Sequence, residues 1–203
     1  MSWIMFQVQV RRFVLWFLRP IIIMIPKFHA PWIFKKIKAR QYRHVMTLLQ
    51  PGDLILCRTL GELSNYLIPG FFKHLQVYAP TQHKHEIIEA VGTGVQIADT
   101  IDALLSKDAL LVLRLKDATF QQGAEIAEMA RQQVGKPYDL EFKWQSGKNK
   151  AFYCFELGIW SCKQVMGDKF DFKLRMDWGR PTVTADDILK SSLYEVVWDS
   201  RSA

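Results

Sequence analysis

The feature that most constrains this chain is a series of short apolar runs between Leu54 and Leu115, each closed off by turn residues. Leu54-Ile55-Leu56-Cys57-Arg58 follows the turn Pro51-Gly52-Asp53 and reads as a buried strand. His74-Leu75-Gln76-Val77-Tyr78 alternates as a second. Glu86 to Val91 follows the polar turn Thr81 to His85 as a third, and Gly92-Thr93-Gly94 turns into Val95-Gln96-Ile97. Leu110 to Leu115 is another strong strand, and Tyr194 to Trp198 a last one. Helical spacing marks Ile101 to Leu105, Phe120 to Val134 (stopped by Gly135-Lys136-Pro137) and Cys154 to Val165. A short helix after Thr184 has Asp187 three residues on, the spacing of a cap. The pattern predicts an α+β domain: a mainly antiparallel sheet of five or six strands packed against two or three helices.

The 203 residues suffice for one domain plus an appendage. Charge separates the two. Residues 1–50 hold nine basic residues and no Asp or Glu, leaving 18 of the 27 basic residues against all 20 acidic ones in the rest. The expected boundary therefore falls between a basic, aromatic-rich segment, 1–50, and a body, 51–203. The apolar run from Phe13 to Ile25 contains Arg19 and Pro20 and is shorter than the ~20 residues of a spanning helix. Pro31-Trp32-Ile33-Phe34-Lys35-Lys36-Ile37-Lys38 mixes rings with lysines, which suits a lipid headgroup region. A helical, membrane-surface extension is the leading expectation, with membrane lipids as partners on the cytoplasmic side. A spanning helix and an extra helical layer packed on the body are the alternatives. Nucleic acid is not an expected partner, because so much Ile, Phe and Trp accompanies the lysines.

Three cysteines, Cys57, Cys154 and Cys162, form neither a disulfide framework nor metal-ligand spacing, so reduced thiols and no metal or cofactor are expected. Cys154 opens an apolar helix after the polar run Gln145 to Lys150. A thiol there feels the positive end of the helix dipole, which favours the thiolate. A buried, inert cysteine is the plain alternative. A nucleophile needs a base, and the base an orienting group. His74 opens a strand, which gives its ring a fixed direction, whereas His83 and His85 sit in a polar turn. Glu89 is a charge inside an apolar strand and needs a partner if buried.

Several motifs in order carry a resemblance: Pro51-Gly52-Asp53-Leu54, Leu63-Ser64-Asn65, Ile68-Pro69-Gly70, His74 to Tyr78, Ile88-Glu89-Ala90, Gly135-Lys136-Pro137-Tyr138-Asp139 and Tyr153-Cys154-Phe155-Glu156-Leu157. From about residue 51 to 198 the chain resembles the circularly permuted NlpC-type hydrolases, the YiiX/YebB-like group. These are papain-like cysteine enzymes in which the histidine strands precede the cysteine helix. The resemblance implies Cys154 as nucleophile, His74 as base, Glu89 as the orienting residue and Tyr138 near the oxyanion or substrate. Lys73 before the histidine, Leu75 and Gln76 after it, and Phe155 after the cysteine depart from the family pattern. The expected function is a cysteine hydrolase or acyltransferase (amidase, peptidase or lipid-acyl type) working through an acyl-enzyme at a membrane surface. A peptidoglycan-type endopeptidase and a catalytically idle papain-like binding module are the alternatives.

Overall fold

A computed structural model describes residues 37–60, 68–144, 150–177 and 179–203. The Phe13 to Ile25 run, most of the Pro31 to Lys38 patch, Leu63-Ser64-Asn65 and most of the polar run before Cys154 lie outside the described residues.

Six strands form one sheet: β1 (Leu54–Arg58), β2 (His74–Tyr78), β3 (Glu86–Val91), β4 (Gly94–Asp99), β5 (Ala109–Leu115) and β8 (Tyr194–Asp199). Their spatial order is β4-β3-β2-β1-β5-β8, and every neighbouring pair is antiparallel. A separate hairpin pairs β6 (Arg175–Asp177) with β7 (Arg180–Thr182). The turn into the sheet is built as its residues demand. Gly52 has φ +84°, a conformation that costs glycine nothing, and a Cβ there would lie 2.4 Å from the Gly123 carbonyl oxygen. Asp53 accepts two hydrogen bonds from Arg114, each 2.8 Å, which locks the turn to β5.

The central strands β1, β2, β3 and β5 are buried on both faces, so they read as largely apolar runs, whereas the edge strands β4 and β8 are partly exposed. One face, with Leu54, Leu56, Leu75, Val77, Leu111 and Leu113, packs on α3 (Phe120–Arg131), α4 (Cys154–Met166) and α5 (Ala185–Lys190). These are the helices read from the sequence. The other face, with Ile55, Cys57, Tyr78, Ile87, Leu110 and Val112, is covered by α1 (Ala39–Leu48) and α2 (Thr100–Leu105). Residues 37–50 are thus part of the packed structure. Val45 is fully buried, the Tyr42 hydroxyl meets Thr100 Oγ1 at 3.0 Å, and Arg114 donates to the Leu48 carbonyl at 2.8 Å. The opposite side of α1 exposes Arg40, Arg43 and His44.

The caps behave as their sequences suggest. Thr119 Oγ1 accepts from Gln122 N at the start of α3, and Gln122 Oε1 accepts in return from Thr119 N. Asp187 Oδ2 accepts from the Thr184 N–H at the start of α5, at 2.9 Å. Among the described residues, no helix is long and apolar enough to cross a membrane.

Candidate active site

Cys154 is the first residue of α4. Three tethers hold the backbone just before it. Phe152 donates to the Pro137 carbonyl at 3.1 Å, and Asp139 donates to the Phe152 carbonyl at 3.0 Å, so Tyr138 and Phe152 form a short parallel bridge. The Tyr153 hydroxyl accepts from Val183 N at 2.9 Å and ties the helix start to the segment leading into α5. Asp139 in turn accepts from the N–H groups of Glu141 and Lys143 and fixes the loop that carries Tyr138. The helix sits close to the sheet because residue 158 is glycine. A Cβ there would lie 2.5 Å from Leu75 Cδ2 and 3.2 Å from Leu54 Cδ2.

His74 opens β2 opposite Cys57 on β1. Its Nε2 is 2.9 Å from Glu89 Oε2, and its ring is hydrogen-bonded to the Cys154 thiol. Nε2 being committed to Glu89, Nδ1 is the nitrogen left for the thiol. Strand register supplies the rest of the shell. Gln76 on β2 is directly opposite Glu89 on β3, and Glu89 is directly opposite Gln96 on β4. Gln76 Nε2 donates to Glu89 Oε2 and Gln96 Nε2 to Glu89 Oε1, each at 2.9 Å. A nearly buried carboxylate thus has three N–H partners, which offsets the cost of removing its charge from water.

Electrostatics follow from this packing. Burial works against a charged His74, but the hydrogen bonds to Cys154 and Glu89 outweigh it and hold the imidazole pKa well above its ordinary value. Burial also works against an ionised Glu89, yet the bonds from His74, Gln76 and Gln96 keep its pKa far below the usual carboxylate range. Tyr138 is brought to the same place. Its phenol is hydrogen-bonded to the Cys154 thiol and takes a hydrogen bond from the Cys154 backbone N–H, while burial and that thiol push its pKa well up. Cys154 is 1% exposed and the His74 side chain 18%, so the histidine is the more open member of the pair.

All four residues singled out from the sequence, Cys154, His74, Glu89 and Tyr138, are therefore in one cluster. Gln76 and Gln96 were missed. The available signal was two amides at in-register positions of otherwise apolar strands, legible only once the register was known. The remaining candidates lie elsewhere or are unsuited. Burial pushes the Cys162 thiol up to about 12, and that thiol is paired with Tyr194. His85 is exposed and bonds Tyr78 through Nδ1 at 2.7 Å. His83 and His44 are exposed. Among the described residues, no three His, Cys, Asp or Glu side chains come together in a way that could hold a metal ion.

A sheet that carries a histidine and a carboxylate, with a cysteine opening the helix packed on it, is a papain-like layout. Here the histidine strand comes first in the chain, which makes it a permuted one. Residues 48–197 match the family described as permuted papain-like amidase enzymes, YaeF/YiiX, C92 family, and the chain belongs to that family. It is accordingly a member of a hydrolase family of the peptidase C92 type. The probable lipoprotein peptidase YaeF of Escherichia coli (strain K12) is 33% identical over 85 residues, which is 40% of this chain and only 30% of that relative. The crystal structure of the metalloprotein yiiX from Escherichia coli O157:H7 shares the fold, with a TM-score of 0.60 at 17% identity, covering 74% of this chain and 97% of that one.

Proposed function

We propose that this chain is a cysteine-dependent amide or ester hydrolase, with Cys154 as nucleophile, His74 as base and Glu89 as the group that orients the imidazole. The observation that carries this reading is the continuous chain from the Cys154 thiol through the His74 ring to Glu89, closed at 2.9 Å. In the first step Cys154 Sγ bonds to the acyl carbon as its proton passes to His74 Nδ1. The carbonyl electron pair moves to oxygen, where the Cys154 backbone N–H at the helix start and the Tyr138 hydroxyl stabilise it. That N–H is held by the Tyr138 oxygen at rest, so the phenol turns from acceptor to neighbour as the substrate oxygen arrives. The amine or alcohol leaves with the proton from His74, and a thioester remains. His74 then takes a proton from water or from an acceptor hydroxyl or amine, the new bond to carbon forms, and the C–S bond breaks.

The proposed place of action is a membrane surface, reached through residues 1–50, whose nine basic and no acidic residues suit anionic lipid. The exposed Arg40, Arg43 and His44 of α1 add to that charge. Substrates near a bilayer, either lipids or lipid-linked amides and peptides, follow from this.

The test is labelling with an acyl-amide activity probe followed by mass analysis of the adduct. Wild-type protein should be modified at Cys154, and Cys154→Ala should be silent while folded. A folded wild-type sample that stays unmodified ends the proposal. It would favour a binding module that keeps the papain-like cleft, a reading that the near-complete burial of Cys154 supports.

A further inference from the structure

Gln76 and Gln96 flank Glu89 on the two neighbouring strands, and each aims its amide N–H at a different carboxylate oxygen. We propose that these two glutamines are positioning residues: they form a three-strand clamp that fixes the rotation and the charge of Glu89, and through Glu89 the working direction of His74. The proposal rests on the reading of His74 and Glu89 given above and extends it to residues that do not touch the thiol.

Oxygen Oε2 is the shared point of the clamp. It accepts from His74 Nε2 and from Gln76 Nε2, both at 2.9 Å, while Oε1 accepts from Gln96 Nε2 at 2.9 Å. Rotating the carboxylate about its last bond would break all three contacts together, so the plane of Glu89 is fixed. Both donors are neutral amides, whose donor character does not change with pH. The charged and titratable groups facing this row are His74 and Glu89 themselves, Cys57 on β1, and Cys154 on α4. The Tyr138 phenol lies beyond Cys154. No lysine or arginine is among them; His74 is the first support of the ionised Glu89, and the two amides add to it. Gln76 is fully buried, whereas Gln96 is half-buried. A buried amide facing a buried carboxylate in an otherwise apolar strand is costly unless the pair is needed.

The experiment compares Gln76→Met with Gln76→Glu in the full-length protein. Both side chains match glutamine in length. Methionine donates nothing at any pH. Glutamic acid donates to Glu89 when protonated, and repels it when ionised. The readout is the second-order rate of Cys154 alkylation by iodoacetamide from pH 5 to 9, located by mass analysis and expressed as the ratio of variant to wild type. For Gln76→Met the ratio should be about 0.1 throughout, the loss of roughly one hydrogen bond to a charged group. For Gln76→Glu the ratio should be near 1 at the acid end and fall as pH rises. Equal ratios for the two variants at every pH would show that the glutamine only fills space, and would overturn the proposal, as would a wild-type profile for Gln76→Met. If Gln76→Met does not fold, Gln96→Met and Gln96→Glu at the half-buried site carry the same comparison. Should wild-type Cys154 resist alkylation, the hydrolase reading fails separately. The clamp is then read from the NMR signal of the His74 Nε2–H, which the methionine variant should shift or lose; an unchanged signal overturns the clamp.

Discussion

Glu89→Gln separates charge from shape at the centre of the site. The amide can keep one oxygen where Oε2 stood, still accepting from His74 Nε2 and Gln76 Nε2. Its NH2 then faces Gln96 Nε2, donor against donor, until the half-buried Gln96 amide turns over to present oxygen. With His74 neutral, all three contacts can survive as neutral hydrogen bonds, so the loss of stability on the alkaline side should be small, about 1–2 kcal/mol. The imidazolium loses far more. Opposite unit charges about 4 Å apart at an effective dielectric constant of about 20 attract by about 4 kcal/mol. The His74 pKa should therefore fall from its raised position towards its ordinary 6.5. The pH dependence of stability has a definite sign. A raised histidine pKa stabilises the fold fully below the unfolded value of 6.5, and that contribution is lost as pH rises through the folded pKa. The depressed Glu89 pKa contributes above its unfolded value of 4.5 and is lost as pH falls through the folded one. Both contributions are complete between 4.5 and 6.5. Wild-type stability should thus decline on the alkaline side of 6.5, and in Glu89→Gln that decline should be smaller, the part that comes from the Cys154 hydrogen bond remaining. Urea unfolding at a series of pH values, with NMR titration of His74, measures both. A His74 midpoint unchanged in Glu89→Gln, or the same alkaline decline in both proteins, would refute the argument that this carboxylate sets the charge of the imidazole.

Other outcomes follow from the same geometry. Tyr138→Phe removes the hydroxyl beside Cys154 and should lower kcat by roughly 10–100-fold with little change in KM, since a donor to the developing oxyanion acts on the chemical step; steady-state kinetics on an acyl-amide substrate checks it. Gly158→Ala pushes a methyl into Leu75 and Leu54 and should destabilise by about 1–3 kcal/mol, measured by denaturant unfolding, although alanine is the better helix former. Liposome flotation of the full chain against a version starting at residue 37 tests the membrane segment. The full chain should float with anionic vesicles and the shortened one should not. Equal flotation would assign residues 1–36 another role. Starting the shortened chain near Met46 instead would remove most of α1, including the fully buried Val45, and confuse loss of binding with loss of fold.

Much of the sheet was legible because its central strands are buried on both faces and bounded by turn residues, so each is a local apolar block. Cys154 was legible for a local reason too: a helix start after a polar run announces itself within ten residues. The helix over Ala39–Leu48 was foreseen only within one alternative for residues 1–50, an extra helical layer on the body, and its bounds were not read, because its sequence is polar and basic around a few apolar positions. Only the sheet face it lands on gives Val45 and Tyr42 their partners. The hairpin of β6 and β7 was missed for a related reason, since three-residue strands carry no periodicity to detect.

By itself, the sequence determined which residue types were available and in what order: a histidine strand, a carboxylate strand, then a cysteine helix. These are properties of short windows, in which alternation and capping act between near neighbours. The tertiary structure decided which of them meet. The register of β2, β3 and β4 aligned Gln76, Glu89 and Gln96 in one row, and the Tyr138–Phe152 bridge carried a phenol to the helix start. Strand register and a bridge between distant residues depend on the packing of the whole sheet against α4, and no local pattern encodes either.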